Sequence, residues 1–436
     1  MASSFAFSLA PFFFLSLIIS LLSHSNAQLP SSSSRPHGVV LSVTKDASTL
    51  QYLTHIFQRT PKVRVTLLHV DLGGQFTWVD CEDDYKSSSY RSARCKSVQC
   101  KLAGQPTSGC FDECYGTPRP GCSNHTCSVF PYNSVSEWQS PGDVGSDSLT
   151  VKSTDGSDVT VRGLVFSCAP TSLVAGLAGG AKGIVGLGRS ATGLHSQFSL
   201  AFRFPRKFAM CLSSSKGAII FGDGPYMAQP GMDLSTSFTY TPLIVNPVSA
   251  TTGGEKSPEY YIGVKSIKVG GRKILLKRGI LSLKKDGLGG TKISTVTPYT
   301  VMETSIYNAV TSAYIKHAKA MNISRVASVS PFGVCFSTEN MVNTRAGAVV
   351  PSIDLVLQNK RVVWRIFGSN SMVKVKNGVS CLGFVDGGSE AKTSIVIGGY
   401  QLEDNFLQFD IPRSRLGFTS SLLFGSRQVA CSAFNN

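Results

Sequence analysis

Residues 292–307, KISTVTPYTVMETSIY, run from an apolar strand through a turn towards a helix, the layout of half a hydrolase site whose turn holds a hydroxyl, Ser294. A second stretch, VDLGGQFTWVDC at 70–81, has a similar layout with a carboxylate, Asp71, at its turn. Water activation by paired carboxylates needs two of them close enough to share one proton, one acting as base and the other as acid. Ser294 neither ionises near neutral pH nor relays a proton as a carboxylate does. Other catalytic arrangements find less support. GRSATG at 188–193 is not a Gly-x-Ser-x-Gly elbow, because its second glycine lies too far on. The seven histidines are scattered with no His-x-x-x-His pair, and no Gly-rich nucleotide loop is present.

The next chemistry-bearing residues are twelve cysteines. Cys81, Cys95, Cys100, Cys110, Cys114, Cys122 and Cys127 crowd into one Gly/Pro/Ser-rich segment; seven is odd, so one pairs outside, with Cys168 the nearest candidate. Cys211, Cys335, Cys381 and Cys431 then allow three connectivities. CFDEC and CSNHTC have spacings that can hold zinc, but an even count in an exported chain favours disulfides and no metal.

Export is read from the start of the chain. Residues 5–22 are apolar and SHSNAQ follows, with small Ser25 and Ala27 ahead of a cut, so 1–27 is expected to be a signal peptide. An N-terminal membrane anchor is the competing reading, since the n-region lacks the usual Lys or Arg; no other stretch is apolar for long enough to span a bilayer. Asn124 in NHT and Asn322 in NIS are then glycosylation acceptors on the surface. The formal charge of +16, concentrated in GGRKILLKRGILSLKKDG at 270–287, suits either a solvated basic face or attraction to an acidic partner or polymer, and no nucleic-acid motif accompanies it.

These residues need a scaffold, and the local pattern is nearly all β. Short Val/Ile/Phe/Thr runs such as VRVTLLHVDL, DVTVRGLVFSC and TSIVIGG alternate with Gly, Asn, Ser or Pro. Helical periodicity is confined to 303–322, with Ile306, Val310, Tyr314 and Ala318 on one face and Glu303 in the first turn, and to 195–204. A loose repeat runs through the chain: VDLGGQFTWV precedes KGIVGLGRS, and KISTVTPYTVM precedes SIVIGGYQLEDN. Two related β lobes follow from that order, at 28–235, including the cysteine-rich insertion, and at 236–436.

The repeat resembles the bilobal fold of the pepsin-like aspartic peptidases, in which each lobe offers Asp-Thr-Gly or Asp-Ser-Gly on a tight loop above an apolar-apolar-Gly strand. VDLGGQFTWVDC with KGIVGLGRS matches the first lobe, and KISTVTPYTVMETSIY with TSIVIGGYQLEDNFLQFDIPRSRLGF matches the second. The resemblance puts Asp71 and Ser294 at the two catalytic positions. Leu72 stands where the family's Thr ties the two loops together, and Val296 where it has a Gly. FPYNSVSEWQSPGDVGS at 130–146 lacks the flap's Tyr-Gly-Asp run, and Tyr132 reads as packing. The expectation is a non-enzyme.

Among such peptidase-like proteins the chain is similar to the plant family of extracellular dermal glycoprotein, xyloglucan-specific endoglucanase inhibitors, wheat xylanase inhibitors and basic 7S globulins. VTKDASTLQY, GGQFTWVDCEDDY, FSCAPTSL, RKFAMCLSSS, GLGGTKIST and RVASVSPFGVCFST carry the match through both halves. The resemblance implies bridges Cys211–Cys431 and Cys335–Cys381, no cofactor, a monomer, and secretion to the cell wall or apoplast. It further implies a defensive inhibitor of microbial endoglucanases or xylanases, acting through loops of the second lobe inserted into a cleft that holds two carboxylates. Here those loops are KAMNISRVAS at 319–328 and DGGSEAKTS at 386–394, with Arg325 and Lys392 the candidate cations and Lys319 a third. Lys392 stands where related inhibitors tend to carry arginine, and it lacks the bidentate fork; Glu390 beside it opposes its pull on carboxylates. Two other readings stay open: a protein binding a peptide or wall polysaccharide in the old cleft, as the 7S globulin branch suggests, and a peptidase with residual activity at Asp71.

Overall fold

Alternation of buried and solvent-facing residues builds the first strand, Gly38–Lys45, where Val39, Leu41 and Val43 point inward. It pairs antiparallel with Tyr52–Gln58, which pairs in turn with Thr66–Asp71, the strand that ends at the acidic turn. The computed structural model describes Met1 and residues 35–61, 66–104, 109–111, 113–114, 117–228, 231–249, 255–424 and 429–434. Apart from Met1, the expected signal peptide at 1–27 lies outside the described residues. Pro36–Asn436 form one compact unit, mostly β, and no described helix is long and apolar enough to cross a membrane.

The repeat seen in the sequence is a repeat of topology. In the first half, Gly183–Gly186 lies parallel to Thr66–Asp71 and antiparallel to Trp78–Asp80. In the second, Ile395–Ile397 lies parallel to Thr291–Ile293 and antiparallel to Thr300–Met302. Each apolar-apolar-Gly strand thus threads between the strand entering its turn and the strand leaving it. Its glycine is required sterically. A Cβ on Gly186 would stand 2.3 Å from the Phe76 carbonyl oxygen, and one on Gly398 would stand 2.3 Å from the Tyr299 carbonyl carbon.

One continuous antiparallel floor joins the halves: Gly38–Lys45, Lys216–Gly222, Lys207–Cys211, Phe406–Asp410, Arg415–Phe418, Thr239–Ile244. Phe208 and Phe409 stack across the join at 4.7 Å between ring centroids, and both are fully buried. Each such side chain contributes roughly 1.5–3 kcal/mol by leaving water. Cys211–Cys431 ties the same floor to the chain's end.

The 17-residue helix Thr304–Ala320 buries Ile306, Tyr307, Val310, Thr311, Tyr314 and Ala318. Glu303 is its N-cap rather than part of its first turn: the carboxylate accepts from the amides of Ser305 at 2.9 Å and Ile306 at 3.2 Å. Among the described residues the next longest helix is Leu194–Phe202.

Candidate functional site: two turns, a cleft and the second-half loops

Asp71 closes its strand and is 5% exposed. Its Oδ1 accepts from the Gly73 amide at 2.8 Å, which sets the turn. Burial pushes its carboxyl above the ordinary carboxylate range; the Ser134 hydroxyl and the Gly73 amide pull it back, Glu259 adds to the rise and Lys292 opposes it.

Ser294 occupies the matching place in the second half, its amide bonded to the Ile397 carbonyl at 2.9 Å. Its Oγ accepts from the amides of Val296 at 3.2 Å and Thr297 at 3.1 Å. The hydroxyl therefore organises the turn as a carboxylate would, through short local bonds of the Ser/Thr type. The next residue joins the two turns. Thr295 Oγ1 donates to the Val70 carbonyl at 2.7 Å and accepts from the Leu72 amide at 3.0 Å, all of it buried. The tie that the Leu72 replacement was expected to remove is held from one side by Thr295, because the Leu72 backbone needs only a hydroxyl opposite it.

Between the turns lies a cleft of about 940 Å³ that both line. Glu259 and Lys292 sit in it as an ion pair at 2.6 Å, and Glu259 also accepts from the hydroxyls of Tyr261 at 3.2 Å and Ser257 at 3.3 Å. Burial works against the charge on Lys292, yet Glu259 beside it raises the ammonium above the usual lysine range. Glu259 reaches the acidic turn: a Cβ on Gly73 would meet its Cγ at 3.0 Å. Sequence reasoning missed this pair, because Tyr260–Ile262 and Thr291–Ile293 become neighbours only through strand pairing. Tyr132, expected to be packing, instead lines the cleft half-buried, while its carbonyl accepts from Trp78 Nε1 at 3.1 Å. The arrangement offers one protonation-prone carboxyl and one carboxylate neutralised by lysine.

The Xylanase inhibitor N-terminal family matches residues 52–223, and the Xylanase inhibitor C-terminal family matches residues 259–420. The chain belongs to the xylanase-inhibitor family of pepsin-like proteins. It is 54% identical to the "Probable aspartic proteinase GIP2" of Nicotiana benthamiana over 96% of this chain and 97% of that one. Gamma conglutin 1 of Prunus dulcis is 41% identical over 92% of this chain and 90% of that one. Among solved structures, that of edgp superposes with a TM-score of 0.89 and 55% identity over 92% of this chain and 99% of the other. The soybean Basic 7S globulin gives 0.79 and 36% over the same shares. The mostly β pepsin-like fold is thereby shown, in a family of secreted plant proteins.

Within this xylanase-inhibitor-like scaffold the candidate cations lie in two places. Lys319 and Arg325 flank the end of helix Thr304–Ala320, where the Asn322 amide bonds back to the Lys319 carbonyl at 3.1 Å and Arg325 begins a short strand against Phe336. Lys392 lies on the cleft wall, its carbonyl accepting from the Gly289 amide at 2.7 Å. All three are exposed, and none forms an ion pair among the described residues, with Glu390 or otherwise. Asn124 and Asn322 are exposed; the Asn124 Oδ1 accepts from the Cys114 amide at 2.8 Å. The cysteines are bridged as Cys81–Cys168, Cys95–Cys110, Cys100–Cys127, Cys114–Cys122, Cys211–Cys431 and Cys335–Cys381. None is left for a metal, and no metal-holding group occurs among the described residues.

Proposed function

We propose that this protein is a secreted, non-catalytic inhibitor of microbial glycoside hydrolases, of the xyloglucan-specific endoglucanase type, working in the plant cell wall. The observation that carries the reading is the Ser294 turn: its oxygen is fully engaged with the Val296 and Thr297 amides, and no second carboxylate stands opposite Asp71 on that loop. A dyad that shares a proton cannot form there. What the scaffold offers a partner instead is exposed cations on second-half loops, Arg325 and Lys392 first and Lys319 after them. A hydrolase cleft with paired carboxylates gives such a cation charge-assisted hydrogen bonds in a desolvated place. Lys392, as a point charge, contributes less geometric selectivity than Arg325.

The test is residual activity of a microbial xyloglucan-specific endoglucanase titrated with the purified protein at cell-wall pH. Stoichiometric loss of activity is expected. Full activity in the presence of excess protein, against this enzyme and a xylanase, overturns the reading. The open cleft of about 940 Å³ favours one second reading, a peptide- or polysaccharide-binding protein of the 7S globulin kind. Residual peptidase activity is the least supported, and loss of any measured turnover in Asp71→Asn would be its signature.

A further inference from the structure

Between Lys265 and Lys285 the chain carries Lys265, Lys268, Arg272, Lys273, Lys277, Arg278, Lys284 and Lys285 and no Asp or Glu. All but the half-buried Lys268 are exposed, and none of the eight forms an ion pair among the described residues. The sheet beneath explains why the charge stays unopposed. Its strands run Arg272–Lys273, Ser266–Val269, Ile353–Val356, Val363–Ile366, with Ile267, Leu355 and Trp364 packed inward. One row across the other face reads Lys273, Lys268, Asp354, Arg365. Asp354, the row's one acid, is 2% exposed and both its oxygens are taken by Arg365, at 2.7 Å from Nε and 2.9 Å from Nη2. Lys268 and Lys273 are therefore left directly opposite each other, an arrangement that weakens a sheet.

Protection of an exposed edge strand accounts for one lysine on Arg272–Lys273. It does not account for Lys277, Arg278, Lys284 and Lys285 in the loop that follows. We infer that this sheet face and loop form a docking surface for a linear acidic polysaccharide, a polyuronate, whose repeating carboxylates match a strip of cations rather than a single pocket. Six disulfides place the folded chain in an oxidising compartment, away from nucleic acid. Anionic lipid is concentrated on the cytoplasmic leaflet, which disfavours a membrane as the occupant. The inference does not rest on hydrolase inhibition, although the loop after Lys273 packs against the Lys392 loop through the Gly289 amide and the Ile280 carbonyl.

Binding to immobilised polygalacturonate across a salt series tests it. Wild-type protein binds at low salt and is released as salt rises. Replacing Lys268, Arg272, Lys273, Lys277 and Arg278 with Gln weakens binding at least about tenfold and flattens the salt dependence, because fewer counterions are displaced. Replacing five exposed lysines elsewhere, Lys96, Lys101, Lys216, Lys374 and Lys376, leaves binding within about twofold of wild type. Endoglucanase inhibition, measured alongside, is unchanged in both variants. Equal loss in the two variants, no binding at low salt, or stronger binding to phosphatidylserine vesicles than to the polysaccharide overturns the proposal.

Discussion

The turn after Val70 and the turn after Ile293 occupy equivalent places above equivalent glycine-bearing strands, yet one carries a carboxylate and the other a hydroxyl. In the first, Asp71 Oδ1 takes the amide two residues on; in the second, Ser294 Oγ takes the amides two and three residues on. The turn needs an oxygen acceptor at its head, and either group supplies one. Turn shape and acidity are therefore separable at this position: a hydroxyl makes the bonds to the turn's own amides as a carboxylate does. Tying the loops together likewise takes one hydroxyl, on Thr295, rather than one from each side.

The comparison is broken most severely by Thr295→Val. That change leaves the Leu72 amide and the Val70 carbonyl buried without partners, each at a cost of about 1–3 kcal/mol, so urea unfolding should show a loss near 3 kcal/mol. A loss under about 1 kcal/mol would mean that the two turns are held apart from this tie.

Ser294→Ala comes next. The Val296 and Thr297 amides lose their acceptor at the rim of a water-accessible cleft, which lowers stability by about 1 kcal/mol, as for loss of a capping side chain. An unchanged denaturation midpoint would show that the hydroxyl is incidental to the turn.

Asp71→Asn has the smallest effect and the opposite sign. Burial raises the folded-state carboxyl, so the folded protein holds that proton more tightly than the unfolded chain, and stability is lost as pH rises above the ordinary carboxylate range. Asn keeps an acceptor for the Gly73 amide without the charge. The variant should melt higher than wild type at about pH 7 and match it near pH 3, where Asp71 is protonated in both states. A variant destabilised equally at both values would show that ionised Asp71 is favourable where it stands.

Both strand repeats could be read in the chain because an apolar-apolar-Gly strand beneath a turn leaves a local signature, set by the glycine that cannot bear a Cβ. Ser294 was visible for the same reason. Thr295 stands in plain view beside it, but its partners are more than two hundred residues away in sequence, and no local spacing marks them. Glu259 with Lys292 was hidden similarly, since strand pairing brings the two together, and no local spacing marks Tyr132 as lining the cleft. Cysteine parity alone pointed to a partner outside the rich segment, and Cys168 bonds Cys81 because Asp158–Ala169 runs parallel to Trp78–Asp80, setting Cys168 opposite Val79.

The proposed inhibition assigns hydrolase binding to the second-half cations and none to Asp71. The most direct measurement is the inhibition constant against a xyloglucan-specific endoglucanase for three proteins: wild type, Asp71→Asn, and Arg325→Ala with Lys392→Ala. The account predicts equal constants for the first two and a rise of at least about 30-fold for the third, since a truncated interfacial hot spot costs about 2 kcal/mol or more. A double variant that inhibits as well as wild type, or an Asp71→Asn protein that does not inhibit, would contradict it.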